Sequence, residues 1–278
     1  MRRAAVSKLR GPALFRRVAA AAVTVGASAM VVLGGCSAGQ TVEISGGRSG
    51  RSTVDIVLND FLVAYVRDLS ATVGAETDEI FDPAAVEARF AELDDVTLER
   101  VAVPAANRMS VTVAFEDLGR ALTPQDQAGG SGRADGTDGA GSDGRGEESP
   151  LSVERDGERT RMVLEVTPDL LDAVIAMSPW HGTLLAEILL PPDRTTMSED
   201  DYIDYLVWAL EEYEEPRVIR AALQEAAVNV LVRVPGRIVD QAGGTRSDEG
   251  VRFRIPVVEL ITLDEARRYE VVYVASEE

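Results

Sequence analysis

Cys36 is the residue in this sequence best placed for a specific chemical modification, and the chain contains a single cysteine. It directly follows Leu33-Gly34-Gly35, where two glycines leave the backbone open to a peptidase. Residues 1–17 are basic at positions 2, 3, 8, 10, 16 and 17 and carry no acid, and residues 18–32 are uncharged and apolar. A basic segment, an apolar segment and then small residues is the order of a secretory signal. The Cys36 thiol is a nucleophile at the end of that signal.

The segment Leu33–Cys36 resembles the lipobox of bacterial lipoproteins. The resemblance implies that the Cys36 thiol is diacylated and that the chain is then cut between Gly35 and Cys36. It also implies a lipid-anchored, extracytoplasmic protein on the cell membrane or the outer membrane, with residues 1–35 as signal peptide. Two alternatives share the charge asymmetry: an ordinary signal, and an uncleaved anchor, because the apolar run is near the lower limit for spanning a bilayer.

The charge of the chain excludes one class of partner. Removal of residues 1–35 takes away six bases and no acid, which lowers the formal charge from −19 to −25. Nucleic acid and anionic lipid headgroups repel such a chain, so we expect no nucleic-acid partner. If Cys36 is acylated, no disulfide can form, and the fold has to rest on its hydrophobic core.

Residues suited to catalysis or metal binding are scarce. His181 is the single histidine, which argues against a metal site built on imidazoles, and no thiolate site is possible either. A Ser-His-Asp triad is arithmetically possible, but the sequence identifies no partner for the single histidine. We therefore predict no catalytic residue, no cofactor and no bound metal. Trp180 and His181 are interpreted as a structural corner between helices.

The densest acidic cluster lies in residues 198–215, "SEDDYIDYLVWALEEYEE". Paired carboxylates such as Asp204 and Glu211 can hydrolyse glycosidic bonds if a cleft raises one pKa. Most of these acids instead fall opposite the apolar stripe of a predicted helix, which favours a solvated face. On the same helix, Tyr202, Tyr205 and Trp208 recur every three residues, and this spacing fits either the core or the lining of an apolar ligand site.

The pattern of the remaining chain predicts an α+β fold, in which β-hairpins form an antiparallel sheet packed against several amphipathic helices. Period-two alternation predicts a strand over 54–58 and a hairpin over 96–115, and Asp156-Gly157 predicts a second hairpin turn. Helices are expected to begin after Asp82, Thr167 and Ser198. Residues 36–52 are predicted to be a flexible tether, and residues 53–278 an α+β domain interrupted by a disordered Gly- and Asp-rich loop at 125–149.

Residues 228–274 loosely resemble the closing hairpin of LppM-like envelope lipoproteins, a mycobacterial type whose folded domain is thought to engage lipid. The resemblance rests on Val234-Pro235-Gly236 and Gly243-Gly244, and the tryptophan that follows the turn in that family is absent, with Phe253 near its place. The sequence pattern after Cys36 as a whole is also similar to that of uncharacterised spirochaetal lipoproteins. No binding residue is carried over.

Three functional hypotheses follow. The first is a non-enzymatic envelope lipoprotein that binds a lipid-like hydrophobic ligand, with Tyr202, Tyr205 and Trp208 as candidate lining. The second is a scaffold or assembly lipoprotein that binds an envelope protein. The third is a carboxylate-based hydrolase built on the helix over 199–215.

The lipidation hypothesis predicts the mass of the mature N-terminal peptide. Mass spectrometry of protein purified from membranes is expected to show a chain that begins at Cys36 and carries a diacylglycerol. A peptide with an unmodified Cys36, or one that still contains residues 1–35, would contradict the hypothesis.

Overall fold

The computed structural model describes residues 36–45, 49–72, 79–91, 93, 96–118, 150–177, 189–191 and 193–276. The strands are β1 Cys36–Ile44, β2 Gly50–Leu58, β3 Val96–Ala105, β4 Arg108–Phe115, β5 Leu151–Asp156, β6 Arg159–Val166, β7 Ala227–Arg233, β8 Gly236–Ala242, β9 Thr245–Ser247, β10 Gly250–Pro256 and β11 Arg267–Ala275. The helices are α1 Asp60–Thr72, α2 Pro83–Phe90, α3 Pro168–Met177, α4 Glu199–Leu210, α5 Pro216–Glu225 and α6 Val257–Ile261. This mixture confirms the predicted α+β class.

The strands form two sheets. Sheet A has seven strands in the order β3-β4-β2-β1-β7-β10-β9, and sheet B has four in the order β5-β6-β11-β8. The β3–β4 and β5–β6 hairpins are those that the sequence predicts, and Gly157 at the second turn has a positive φ of 59°. The division into two sheets was not predicted, nor was the parallel pair of β1 with β7 in sheet A.

The predicted tether over residues 36–52 is wrong, because Cys36–Ile44 is a central strand of sheet A. It pairs with β2 on one side and with β7 on the other. Ala38, Val42 and Ile44 are buried, and the Gln40 Nε2 donates a hydrogen bond of 3.0 Å to the Ser52 Oγ inside the sheet. The polar Gln40 interrupts the apolar alternation, so the composition of this segment suggested a linker.

The helix starts follow local chemistry, as predicted. The Asp82 Oδ1 accepts a hydrogen bond of 2.9 Å from the Ala84 N–H at the start of α2, and Pro83 is the first helical residue. The Ser198 Oγ accepts one of 3.1 Å from the Asp201 N–H at the start of α4. The run "GVRFRIPVV" alternates in the manner of a strand, but β10 ends at Pro256 and α6 begins at the next residue.

The main core lies between one face of sheet A and the helices. Ile56 and Met109 from the sheet meet Leu62 of α1, Leu206 of α4 and Ile219 of α5, all almost completely buried. A smaller cluster fills the space between the sheets and contains Ile238, Val251, Phe253 and Val271. The helices therefore cover the inner face of sheet A, the face that carries the alternate buried residues of its strands.

Three predicted features lie outside the described residues: the segment 1–35, the loop 125–149, and Trp180 with His181. Among the helices that are described, none is both long enough and apolar enough to cross a membrane.

The central position of β1 gives a stability prediction. We expect Val42→Asp to lower the free energy of unfolding by more than about 3 kcal/mol, because it buries a charge without a partner. Ser37→Asp, at an exposed position of the same strand, is the matched control and should change it by less than about 0.5 kcal/mol. Urea unfolding followed by circular dichroism measures both. A flexible tether would tolerate the two substitutions equally.

Candidate functional site

Helix α4 carries the predicted aromatic residues, and its orientation is fixed at both ends. The Ser198 cap and the acids of the first turn stabilise its start, where the helix dipole favours negative charge. Leu206 and Leu210 are fully buried against the core. The opposite side of α4 therefore faces solvent.

The structure separates the three aromatic residues that the sequence grouped. The Tyr202 side chain is fully buried, and its hydroxyl donates a hydrogen bond of 2.6 Å to the Leu189 carbonyl. Trp208 is 68% exposed. An α-helix turns by about 100° per residue, so the side-chain direction rotates by about 240° over the six residues from Tyr202 to Trp208. The two side chains therefore cannot face the same way. Tyr202 belongs to the core, whereas Tyr205 and Trp208 lie toward the surface.

Four aromatic side chains form what we call the aromatic cluster: Tyr65 of α1, Tyr205 and Trp208 of α4, and Tyr213 beyond its end. The Tyr65 and Tyr213 rings meet edge to face, with centroids 5.4 Å apart, and the Tyr205 and Trp208 rings are 6.3 Å apart and tilted by 38°. Tyr65 is buried and Trp208 is exposed, so the cluster extends from the core to the surface.

The hydroxyl groups of this cluster resist ionisation. Burial raises the pKa of Tyr65, and the neighbouring Tyr205 and Tyr213 raise it further. Burial is also the largest cause of the raised pKa of Tyr205, ahead of the charge on Asp193. The pKa of Tyr213 is raised by burial and by its hydrogen bond of 3.2 Å to Asp68. The cluster therefore offers neutral rings and protonated hydroxyls at physiological pH.

Several acids around α4 have structural partners. Asp201 accepts a hydrogen bond of 2.6 Å from the Ser198 Oγ, and Asp204 pairs with Arg220, which joins α4 to α5. Glu211 and Glu212 are exposed beyond the end of α4. Within the described residues, no group of three or more His, Cys, Asp or Glu side chains is arranged to hold a metal ion. The hydrolase hypothesis stays a prediction.

The predicted lipidation site is described only by its backbone. Cys36 is the first residue of β1 and lies opposite Leu58 in the antiparallel pairing with β2. Gly35 and the rest of the signal segment lie outside the described residues. Lipidation at Cys36 and cleavage after Gly35 remain predictions.

Sequence reasoning missed Tyr65 and Tyr213. Tyr65 follows Phe61 by four residues, and both side chains are buried, so the sequence marks Tyr65 only as part of an apolar helix face. Tyr213 lies outside the regular helix and has no periodic relation to Tyr205. Only the packing of α1 beside α4 brings these rings together.

Comparison with known proteins gives one solved structure. No family's sequence profile matches this chain, and no curated protein matches it. The NMR structure of the folded domain of LppM from Mycobacterium tuberculosis is similar, with 10% sequence identity, a TM-score of 0.35, and coverage of 88% of this chain and 92% of that one. This is the LppM type that residues 228–274 resemble, and at this TM-score the likeness carries no further argument.

The separation of Tyr202 from Trp208 predicts that substitutions at the two positions lower the free energy of unfolding by different amounts. We expect Tyr202→Phe to lower the free energy of unfolding by about 1–2 kcal/mol, because a buried carbonyl loses its donor. Trp208→Ala removes an exposed ring and should cost less than about 1 kcal/mol. Chemical denaturation followed by far-UV circular dichroism tests both. A larger loss for Trp208→Ala than for Tyr202→Phe would show that Trp208 is a core residue.

Proposed function

We propose that this chain is a membrane-anchored lipoprotein of the cell envelope, without catalytic activity, that binds a lipid-like hydrophobic ligand at Tyr205 and Trp208. The exposure of Trp208 carries the proposal, because no other large apolar side chain among the described residues is exposed to the same degree. An indole ring in water is costly, and its burial by a ligand or partner is favourable.

The anchoring part of the proposal rests on the order of residues before Cys36. The basic segment, the apolar segment and the lipobox together account for the position of the one cysteine. Because β1 starts at Cys36, the acylated residue would be attached directly to the folded domain.

The ligand part rests on the geometry of the aromatic cluster. Tyr65 contacts Tyr213 edge to face and has Tyr205 as a neighbour, and Tyr205 in turn lies beside the exposed ring of Trp208. An aromatic surface of this kind suits acyl chains or other extended apolar groups.

The rival function is a scaffold that binds an envelope protein, and one observation favours it. Exposed Glu211 and Glu212 lie three and four residues after Trp208, one helical turn away. Tryptophan is frequent at the energetic centres of protein interfaces, and carboxylates at the rim would select a basic partner.

Native mass spectrometry distinguishes the two functions. The soluble chain has to begin at residue 36, since β1 is a central strand, and Cys36→Ser removes the lipidation site. When the protein is purified without detergent, we expect additional mass that is released on denaturation and extracts into organic solvent. A bare chain mass would contradict the ligand hypothesis and favour the scaffold.

A matched pair of variants assigns the ligand to the site. Trp208→Ala is expected to reduce the ligand-bound fraction several-fold because it removes the surface ring. Val218→Ala, at an exposed apolar position on α5, should leave that fraction unchanged. Equal retention of ligand by the two variants would place the ligand elsewhere on the protein.

A further inference from the structure

Within the described residues, the helices leave the second face of sheet A uncovered. Side chains alternate along each strand, so Ser37, Gly39, Thr41 and Glu43 of β1 point away from the core. Gly39 is exposed at the middle of this central strand, and a Cβ placed there would meet no atom within 4 Å. We call this the outer face of sheet A.

Short polar side chains occupy the middle of the outer face. Thr41, Thr53 and Thr112 lie side by side on β1, β2 and β4, and the Thr53 and Thr112 hydroxyls are 3.2 Å apart. Gly39 lies between Asp55 and Asn229 in the next row. The centre of the face therefore carries short, mostly polar side chains, and Leu231 of β7 continues the threonine row beside Thr41.

Arginines surround this polar centre, although the chain as a whole is acidic. The arginines that the strand registers place on the outer face are Arg51, Arg100, Arg108, Arg233, Arg252 and Arg254. The acids beside them are Glu43, Asp55, Glu99 and Glu249. Bases thus outnumber acids on this face, the reverse of the whole chain.

Some of these guanidinium groups keep donors for a further acceptor. Arg252 reaches the Glu249 carboxylate only at 4.0 Å, and Arg254 donates to the backbone carbonyl of Glu225 at 3.1 Å. Arg252 and Arg254 are both exposed on β10. Arg100 is exposed on β3, at the other end of the threonine row. Arginine donors match phosphate oxygens in geometry and charge.

We propose that the outer face of sheet A rests on the anionic phospholipid headgroups of the bilayer that holds the Cys36 lipid. The inference rests on the proposed lipid anchor, since Cys36 begins the central strand of this same sheet and no tether separates the two. The threonine hydroxyls and the arginines then meet phosphate groups. The aromatic cluster lies on the helix side of the sheet, away from the bilayer.

The net charge of the chain does not oppose this orientation. The acids of α4 and its following turn lie beyond the sheet and a helix layer about 10 Å thick. At physiological ionic strength, charge is screened over about 8 Å, so the bilayer responds mainly to the face next to it. The repulsion from anionic headgroups that the composition predicts therefore applies to the helix side.

Fluorescence quenching of the lipidated protein tests the orientation. Acylation consumes the one native thiol, so a Gly39→Cys variant can be labelled uniquely on the outer face, and a Glu212→Cys variant on the helix side. The processed protein is placed in vesicles of phosphatidylcholine and phosphatidylglycerol that contain a headgroup nitroxide. We expect several-fold stronger quenching at position 39 than at position 212.

Charge variants identify the interaction. Arg252→Gln with Arg254→Gln should move the quenching ratio toward one, whereas the control pair Arg155→Gln with Arg217→Gln, exposed elsewhere, should leave it unchanged. Equal quenching at both labels, or stronger quenching at position 212, would overturn the orientation. An unchanged ratio in pure phosphatidylcholine vesicles would overturn the role of anionic headgroups.

The anchor itself is measured in the same samples. Mass spectrometry of the N-terminal peptide shows whether Cys36 is acylated. An unmodified Cys36 would overturn the proposed lipoprotein function, whereas acylated protein with no difference between the two labels would overturn the orientation alone.

Discussion

The parallel pairing of β1 with β7 is the interaction on which the described fold depends. Sheet A consists of a group of strands from the first half of the chain and a group from the last quarter, and these groups meet only where Ala38–Glu43 pairs with Val228–Arg233. This pairing places α1, which follows β2, on the same inner face as α4 and α5, which precede β7. The contact between Tyr65 and the tyrosines after residue 200 depends on that arrangement.

The predictable features are the helix starts and turns whose structure is determined by residues close to them in sequence. Asp82 and Ser198 cap the helices that follow them, and Gly157 provides the positive φ of a hairpin turn. The first strand was missed because its buried Gln40 is satisfied by Ser52, twelve residues away, and its apolar residues are few. Trp208 was grouped with Tyr202 because each three-residue step keeps neighbouring side chains close, but over two steps the offset of about 60° per step accumulates and turns Trp208 away from the core.

The molecule has two surfaces of different chemistry on opposite sides of sheet A. On the helix side, carboxylates surround an exposed indole ring. On the outer face, arginines surround a polar centre of threonines around Gly39. The formal charge of −19 is a sum over the whole chain, so it does not show that the two surfaces differ in charge. Charge distribution, which depends on the strand registers, is therefore the information that composition could not provide.

Strand β11 has a consequence for the order of folding. It follows all the other described elements in sequence, yet it lies inside sheet B, between β6 and β8. Synthesis proceeds from the N-terminus, so β6 and β8 expose unpaired edges until Arg267–Ala275 is available. Pairing over such sequence separations is slow to form. A chain that stops before Arg267 cannot close sheet B, and both edges then remain accessible to proteases and to aggregation.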